Sequence, residues 1–359
     1  MTGDVTDVDT VIIGGGQAGL SAAYFLARRG SVPWRDHVVL DASPAPGGAW
    51  QHVWRSVRLV SPPAYTRLPG LPWSRPFQGP PSGPEVAAYL AEYEKRFAVP
   101  VLRPVRVRRV HDAEAAPGAK PHGALLVDTD ERTWRARAVI NATGTWDRPF
   151  VPVVPGMAEF GGRMLHAADY DAPEEFTGAH VVVVGGGNSG AQICAEVSAV
   201  TDTTWVTRRP PQLRDASFSE AELVAVTDQV AQRVARGLPL RSVVSYTGIA
   251  RTPAVRAAEE RGALTARPMF QRVTPDGVTW ADGTRLRADV ILWATGFRPA
   301  LTHLAPLRLR GPLGGIRLVG TRADHDPRVH LLGYGPSASM ISVHRAAARA
   351  AREVRAGLS

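Results

Sequence analysis

A short apolar run from Thr10 to Ile13 stops at Gly14, and apolar residues then recur at Leu20, Tyr24, Phe25 and Ala27. The run predicts a buried strand, and the helical spacing after it predicts a helix. A second apolar run, His-Val-Val-Leu at 37–40, closes a β–α–β unit and is followed at once by Asp41. The same succession returns at His180-Val-Val-Val-Val, at Ala-Gln-Ile-Cys-Ala-Glu-Val, and at a strand ending in Thr207. Two further apolar runs end in Ala-Thr-Gly, at 142–144 and at 294–296. An amphipathic stretch puts Val86, Tyr89, Leu90 and Tyr93 on one face of a helix that would cover the first unit. A second helix is expected over 217–237, opening with serine and acidic residues and closing with Arg236 and Gly237. The proline-rich stretch 62–81 reads as a loop, whose Tyr65, Trp73 and Phe77 either line a site or pack locally.

Between strand and helix, each repeat carries a glycine turn with three glycines at fixed spacing. In Gly14-Gly15-Gly16-Gln17-Ala18-Gly19, Gly14 permits the tight turn, Gly16 admits a pyrophosphate to the backbone, and Gly19 lets the helix approach the strand. The helix N-terminus, with Gln17 and Ala18 in its first turn, favours the anion. Asp41 stands where an acid accepts from a ribose diol. In the second turn Gly185, Gly187 and Gly190 take the same places, with Asn188 and Ser189 between them. Where the first unit has Asp41, the second has Thr207, Arg208 and Arg209, and a guanidinium suits a ribose carrying a 2′-phosphate. Two turns of opposite ribose chemistry predict two dinucleotide sites.

The expected fold is α/β, with two dinucleotide-binding (Rossmann-like) domains, one inserted in the other at the Ala-Thr-Gly crossings. The boundaries read as 1–156 and 290–359 for the first domain and 157–289 for the insert. Composition narrows the rest. The net charge of +9 is carried almost wholly by arginine, since Lys95 and Lys120 are the only lysines. The arginines are scattered and form no dense tract, so a nucleic-acid partner is not expected. No apolar stretch is long enough to span a bilayer and no secretory leader is visible, so a cytoplasmic protein without a membrane partner is expected, monomer or homodimer. The single cysteine, Cys194, excludes an internal disulfide, a cysteine zinc cluster and a Cys-x-x-Cys pair. It falls on the helix after the second turn and reads as a buried, inert thiol. The cluster Asp324, His325, Asp326 and His330 reads as a turn into a strand, and no metal is expected.

One more motif decides the resemblance. Phe160, Gly162, His166 and Tyr170 fit the pattern F-x-G-x-x-x-H-x-x-x-Y/F directly before the second glycine turn. With the two turns, they make the chain resemble the class B flavin-dependent monooxygenases nearly end to end. Tyr170 resembles the heteroatom-oxidising branch more than the Baeyer–Villiger branch. The resemblance implies FAD in the first domain and NADPH in the insert. It implies a monooxygenase that acts with O2 on a small nucleophilic (N or S) or carbonyl substrate, through a C4a-hydroperoxide of the flavin. It also implies flavin contacts at Gly48, Trp50 and Gln51, and closure over the flavin at Ser339 and Met340. Val107, Thr143, Gly144, Thr295 and Gly296 complete the expected cofactor contacts. For His166 it leaves two roles, fixing the hinge between domains or transferring a proton, and the first is preferred. One departure stands out, since Val60 and Ser61 occupy the place where animal relatives carry a Ser-Val pair followed by asparagine. The competing reading is a reductase that passes electrons from the flavin to a quinone or a protein without oxygenation.

Overall fold

The structure is a computed structural model that describes residues 5–59, 66–73, 79–113, 123–215, 220–241 and 244–358. Val60, Ser61, Tyr65, Phe77 and the expected opening of the second amphipathic helix lie outside the described residues, as does the side chain of Met340.

The first sheet is built on β1 (Val5–Ile13), which lies parallel to β2 (His37–Leu40) on one side and β6 (Thr133–Asn141) on the other. Ile13 is level with Leu40 and with Asn141, so the carboxyl ends of the three strands form one rim, where open α/β sheets bind ligands. β3 (Val101–Leu102) extends one edge. β4 (Val107–Asp112) and β5 (Leu125–Thr129) fold back antiparallel beside β6. The second sheet is wholly parallel and draws on β7 (Arg163–His166), β8 (Val181–Val184) and β9 (Thr203–Thr207). β10 (Leu213–Arg214) and β11 (Ile249–Ala250) pair separately. β12 (Arg267–Pro268) joins the second sheet beside β9, and β13 (Arg272–Thr274), β14 (Gly277–Thr279) and β15 (Arg285–Arg287) make a small antiparallel sheet. β16 (Val290–Trp293) lies between β7 and β8. The chain then returns to the first sheet through β17 (Leu318–Val319), β18 (Arg322–Ala323) and β19 (Val329–Leu331), the last paired with β6.

The helices follow the sequence pattern closely. α1 (Gln17–Ala27) buries Leu20, Ala23 and Leu26, which pack with Val343, Ala347 and Ala350 of the last helix, α6 (Met340–Leu358). α2 (Gly83–Arg96) starts at a capping box, in which Ser82 Oγ accepts from Glu85 N and Glu85 Oε2 accepts from Ser82 N. Its buried face is Val86, Tyr89, Leu90 and Tyr93, as the period requires. The Tyr89 hydroxyl donates to Leu71 O and accepts from Leu68 N, and Tyr93 donates to Pro69 O, so α2 pins the segment 66–73. Trp73 stacks on Tyr89 at 4.0 Å. In the second unit, α3 (Asn188–Val197) follows the second glycine turn and packs on α5 (Pro253–Glu260).

The hydrogen bonding places the crossings differently from the sequence boundaries. β16, expected in the first domain, pairs with β7 and β8, so the return crossing begins after Trp293 and not at residue 290. Val154 and Met157 pack in the core behind the second sheet with Val182 and Trp293, so the insert begins before residue 157. α4 (Glu220–Ala235) departs further. Although it lies in the middle of the insert's sequence, its Val234 packs in the first sheet's core with Leu304, Leu318 and Tyr334, and Leu240 rests on the same core. The second unit therefore lends a helix to the first.

Candidate functional site

At the first turn the structure shows what the glycines are for. Gly14 has φ +106, and a Cβ there would meet Ala142 O at 2.6 Å. A Cβ on Gly19 would sit 1.9 Å from Gly14 O, so only glycine lets α1 start this close to β1. Gly16 faces open space except for Gly48 Cα at 3.7 Å, so the Gly-Gly-x-Trp segment folds directly onto the turn. The N-terminus of α1 has no side-chain cap and no acid in its first turn, and Gln17 Oε1 is buried without a partner among the described residues. Open helix N–H groups, a backbone without Cβ and an orphaned polar atom fit a phosphate-bearing cofactor.

Asp41 caps the rim beside this turn, 6% exposed. Its Oδ2 accepts from Arg103 Nε and Nη2 at 3.1 and 3.0 Å, and Oδ1 accepts from Ser43 N. Arg103 also binds Glu94 in bidentate fashion. The predicted ribose acceptor is thus held by a guanidinium shared between two acids. Val107 lies in β4 with its side chain in the core, while Val105 N donates to Asp41 O and is the residue brought to the end of β2. Gln51 Nε2 donates to Ala45 O and Gly48 O, so this side chain stitches its own turn. Trp50 packs on the cores around α1 and α2. Ser339 precedes α6, where its Oγ accepts from Ser342 N.

The second turn repeats the geometry. Gly185 has φ +148, and a Cβ on Gly190 would meet Gly185 O at 2.2 Å. Trp205 Nε1 donates to Gly185 O, and Asn188 Oδ1 accepts from Ala250 N, tying the turn to β9 and β11. The first turn of α3 holds Asn188, Ser189 and Gly190, with Gly187 as an N-cap that offers no side chain. Thr207 is buried at the end of β9, beside Gly186. Arg208 and Arg209 follow it, exposed, and no carboxylate among the described residues pairs with either. That leaves two cations available at the carboxyl end of β9.

Between the turns, the two crossings zip together. Phe150 N donates to Gly296 O, Arg298 N to Arg148 O and Ala300 N to Gly144 O, and Pro149 bridges Phe297. The hydroxyls of Thr143 and Thr295 serve this ribbon, donating to Ala300 O and to Phe150 O. Gly144 and Gly296 take φ +62 and +81, the conformation that glycine accepts most cheaply. His166 stands at the end of β7, buried. Its Nδ1 accepts from Ala168 N, which leaves the proton on Nε2 to donate to Gly296 O at 3.0 Å. Burial holds its pKa below the ordinary histidine value, so the ring is neutral. Phe297 packs edge-on against it, Trp146 stacks on Phe297, and His52 stacks on Trp146. An aromatic column therefore runs from His52, just after the Gly48–Gln51 turn, through both crossings to His166.

Sequence reasoning missed a second joint. Trp54, six residues beyond Gly48, is buried in the second unit's core with Leu165, Tyr170 and Phe176, edge-on to Tyr170. Tyr170 donates to Glu196 Oε2, Ser56 donates to Glu196 Oε1, and Arg55 pairs with Asp171. No periodicity announces a lone tryptophan, but an aromatic after each Ala-Thr-Gly, Trp146 and Phe297, was a readable signal.

Residues 11–310 match the family described as pyridine nucleotide-disulphide oxidoreductase. The chain belongs to this family. A flavin-containing monooxygenase from Stenotrophomonas maltophilia, of solved structure, is 43% identical, with a TM-score of 0.83 over 99% of this chain and 100% of that one. The indole-3-pyruvate monooxygenase YUCCA1 of Oryza sativa subsp. japonica is 30% identical over 323 residues, 80% of this chain and 76% of its own length. An uncharacterized oxidoreductase of Bacillus subtilis, CzcO, is 32% identical over 190 residues, 53% of this chain and 52% of its own length. The chain thus spans about half the length of the CzcO relatives it matches. The resemblance drawn from the signature and the α/β fold are borne out by these matches. They imply a flavin and a nicotinamide nucleotide as the cofactors of this oxidoreductase. Among the described residues no helix is long and apolar enough to cross a membrane, and no group of three His, Cys, Asp or Glu is placed to hold a metal.

Proposed function

We propose that this oxidoreductase is a monooxygenase that holds FAD at the first turn and NADPH at the second. The observation that carries the assignment is the contrast at equivalent strand ends. The first ends in a buried carboxylate, Asp41, and the second in two exposed guanidinia, Arg208 and Arg209, that no carboxylate among the described residues pairs with. When bound, the flavin would take hydride from the nicotinamide and activate O2 toward a small nucleophilic or carbonyl substrate. The chain's own residues hold, align and shield. Gly14, Gly16 and Gly19, with the open end of α1, receive the pyrophosphate of FAD. Gly185, Gly190 and the start of α3 do the same for NADPH, and Arg208 and Arg209 take its 2′-phosphate. His166, neutral and donating to Gly296 O, fixes the angle between the crossings and moves no proton. The aromatic column and Trp54 hold the units together, so that water is kept from the reacting oxygen.

The test is stoichiometry. Purified protein should consume NADPH and O2 with methyl phenyl sulfide and yield sulfoxide in near-equal amount. Recovery of all the oxygen as hydrogen peroxide, with electrons diverted to an added quinone, would instead identify a reductase.

A further inference from the structure

A cavity of about 1090 Å³ lies where α4, lent by the second unit, faces α6 and the segment 67–72 of the first. Among the described residues, none from the two glycine turns lines it. Ser337, Ile341 and Ser342 do, and they flank Ser339 and Met340, so the cavity adjoins the segment expected to close over the flavin. We propose that this cavity binds the organic substrate, and that it selects an anion with an apolar body, such as a carboxylate bearing an aromatic thioether. The word substrate rests on the monooxygenase reading; the preference for an organic anion does not.

The walls are apolar and braced. Leu68 and Leu71 come from the segment that the Tyr89 hydroxyl holds by both its bonds. Val234 is fixed in the first sheet's core, and Ile341 opens α6. Val224 of α4, 46% exposed, adds a further aliphatic side chain to the same lining. The volume is at the upper limit for pockets that take organic ligands, which span about 300–1,000 Å³, so it admits such a ligand with room to spare. Charge supplies the second half of the selection. Arg67, Arg345 and Arg349 line the cavity against one acid, Asp228. Arg349 is committed to Glu353 at 2.7 Å. Arg67 and Arg345 are exposed and have no carboxylate within ion-pair distance among the described residues. An apolar body on Leu68, Leu71 and Val234 would leave its carboxylate to these two guanidinia, which bind such groups in bidentate fashion.

Calorimetric titration of the flavin-loaded protein with (phenylthio)acetate and with methyl phenyl sulfide isolates the charge, since the two probes share ring and sulfur. The acid should bind about tenfold tighter or better, as one charge-assisted contact provides. The double variant Arg67→Gln, Arg345→Gln should remove that advantage and leave the neutral sulfide's affinity unchanged, while Val224→Trp should weaken both probes. The proposal is overturned if the wild type does not prefer the acid, if the double variant weakens both probes equally, or if Val224→Trp changes neither. Charge-dependent binding of the acid without any sulfoxide from either probe would sink the oxygenation reading and leave the anion site standing.

Discussion

Replacing Trp54 by alanine separates a joint from a mere packing contact. The indole is 6% exposed and lies among second-unit side chains, although the chain around it belongs to the first. A buried aromatic removes about 150–250 Å² from water, worth about 4–6 kcal/mol at about 25 cal/mol per Å². Extended-chain areas overstate such burial, and Trp-to-Ala substitutions cost about 3–5 kcal/mol in practice. If the units part by withdrawing this side chain, even about 3 kcal/mol moves the docked equilibrium by about two decades. The neighbouring Arg55–Asp171 pair is 73% and 54% exposed and is worth about 0–1 kcal/mol, which makes Arg55→Ala the internal control.

The readout is peroxide released per NADPH oxidised, at a temperature where the variant is fully folded, with small-angle scattering to report the separation of the units. Trp54→Ala should keep its flavin, raise the peroxide yield toward the full electron count and enlarge the particle, while Arg55→Ala should match the wild type. Tyr170→Phe, which takes one hydroxyl from Glu196, should fall between. A Trp54→Ala protein that loses thermal stability yet couples and scatters like the wild type would show that the tryptophan only fills a core, and the reasoning would fail.

Arg208→Ala should lower NADPH efficiency about tenfold and leave NADH little changed, since only the former has a phosphate there; steady-state kinetics with both nucleotides would expose an equal loss, which contradicts the assignment. Arg103→Met strands Asp41 and Glu94, both largely buried, and should cost about 3–5 kcal/mol in urea unfolding, with weaker FAD retention; a variant as stable as the wild type would deny the network its role. His330 is 2% exposed, with Thr321, Glu353 and Arg322 facing it, and burial lowers its pKa from 6.5 to about 4. The unfolded chain therefore binds the proton first, so this stability is complete above pH 6.5 and is lost, up to about 3 kcal/mol, as pH falls toward 4. His330→Leu should flatten the unfolding free energy over that window, and an unchanged slope would mean the ring is not buried neutral.

The glycine turns were legible because backbone sterics leave no alternative, and a Cβ on Gly19 or Gly190 would overlap the carbonyl of Gly14 or Gly185. The face of α2 was legible for a similar reason, since a period of 3.6 fixes which side is buried. Partnership between distant segments was not. Val290–Trp293 is an apolar run that either sheet would accept, and only its hydrogen bonds to β7 and β8 assign it to the second. α4 has local helix signals but docks on the other unit through Val234, with Leu240 following beyond its end, a choice that no local pattern encodes. Likewise Thr143, Thr295 and Gln51 were expected to meet a cofactor, yet the two hydroxyls donate across the crossings and the Gln51 Nε2 donates within its own turn. The motif located the neighbourhood, and packing decided which atoms face it.

The family's description includes disulphide chemistry, and Cys194 decides whether this chain can perform it. Thiol–disulfide exchange needs an attacking thiolate and a resolving partner, and only one cysteine exists. That cysteine is fully buried in the second unit's core, where burial pushes its pKa up to about 12 and its Sγ donates weakly to Ala263 O. A thiol so placed is protonated at any working pH and is closed to a disulfide substrate. On the proposed reading, electrons taken from the nicotinamide would leave by way of oxygen or an external acceptor and not through a cysteine pair of this chain. Cys194→Ala should retain NADPH oxidation and the coupling ratio of the wild type, with a stability loss of about 1–2 kcal/mol for the small cavity that it leaves. Loss of nucleotide oxidation in a folded, flavin-loaded Cys194→Ala protein would place the thiol on the electron path and overturn both the oxygenase reading and the reductase alternative.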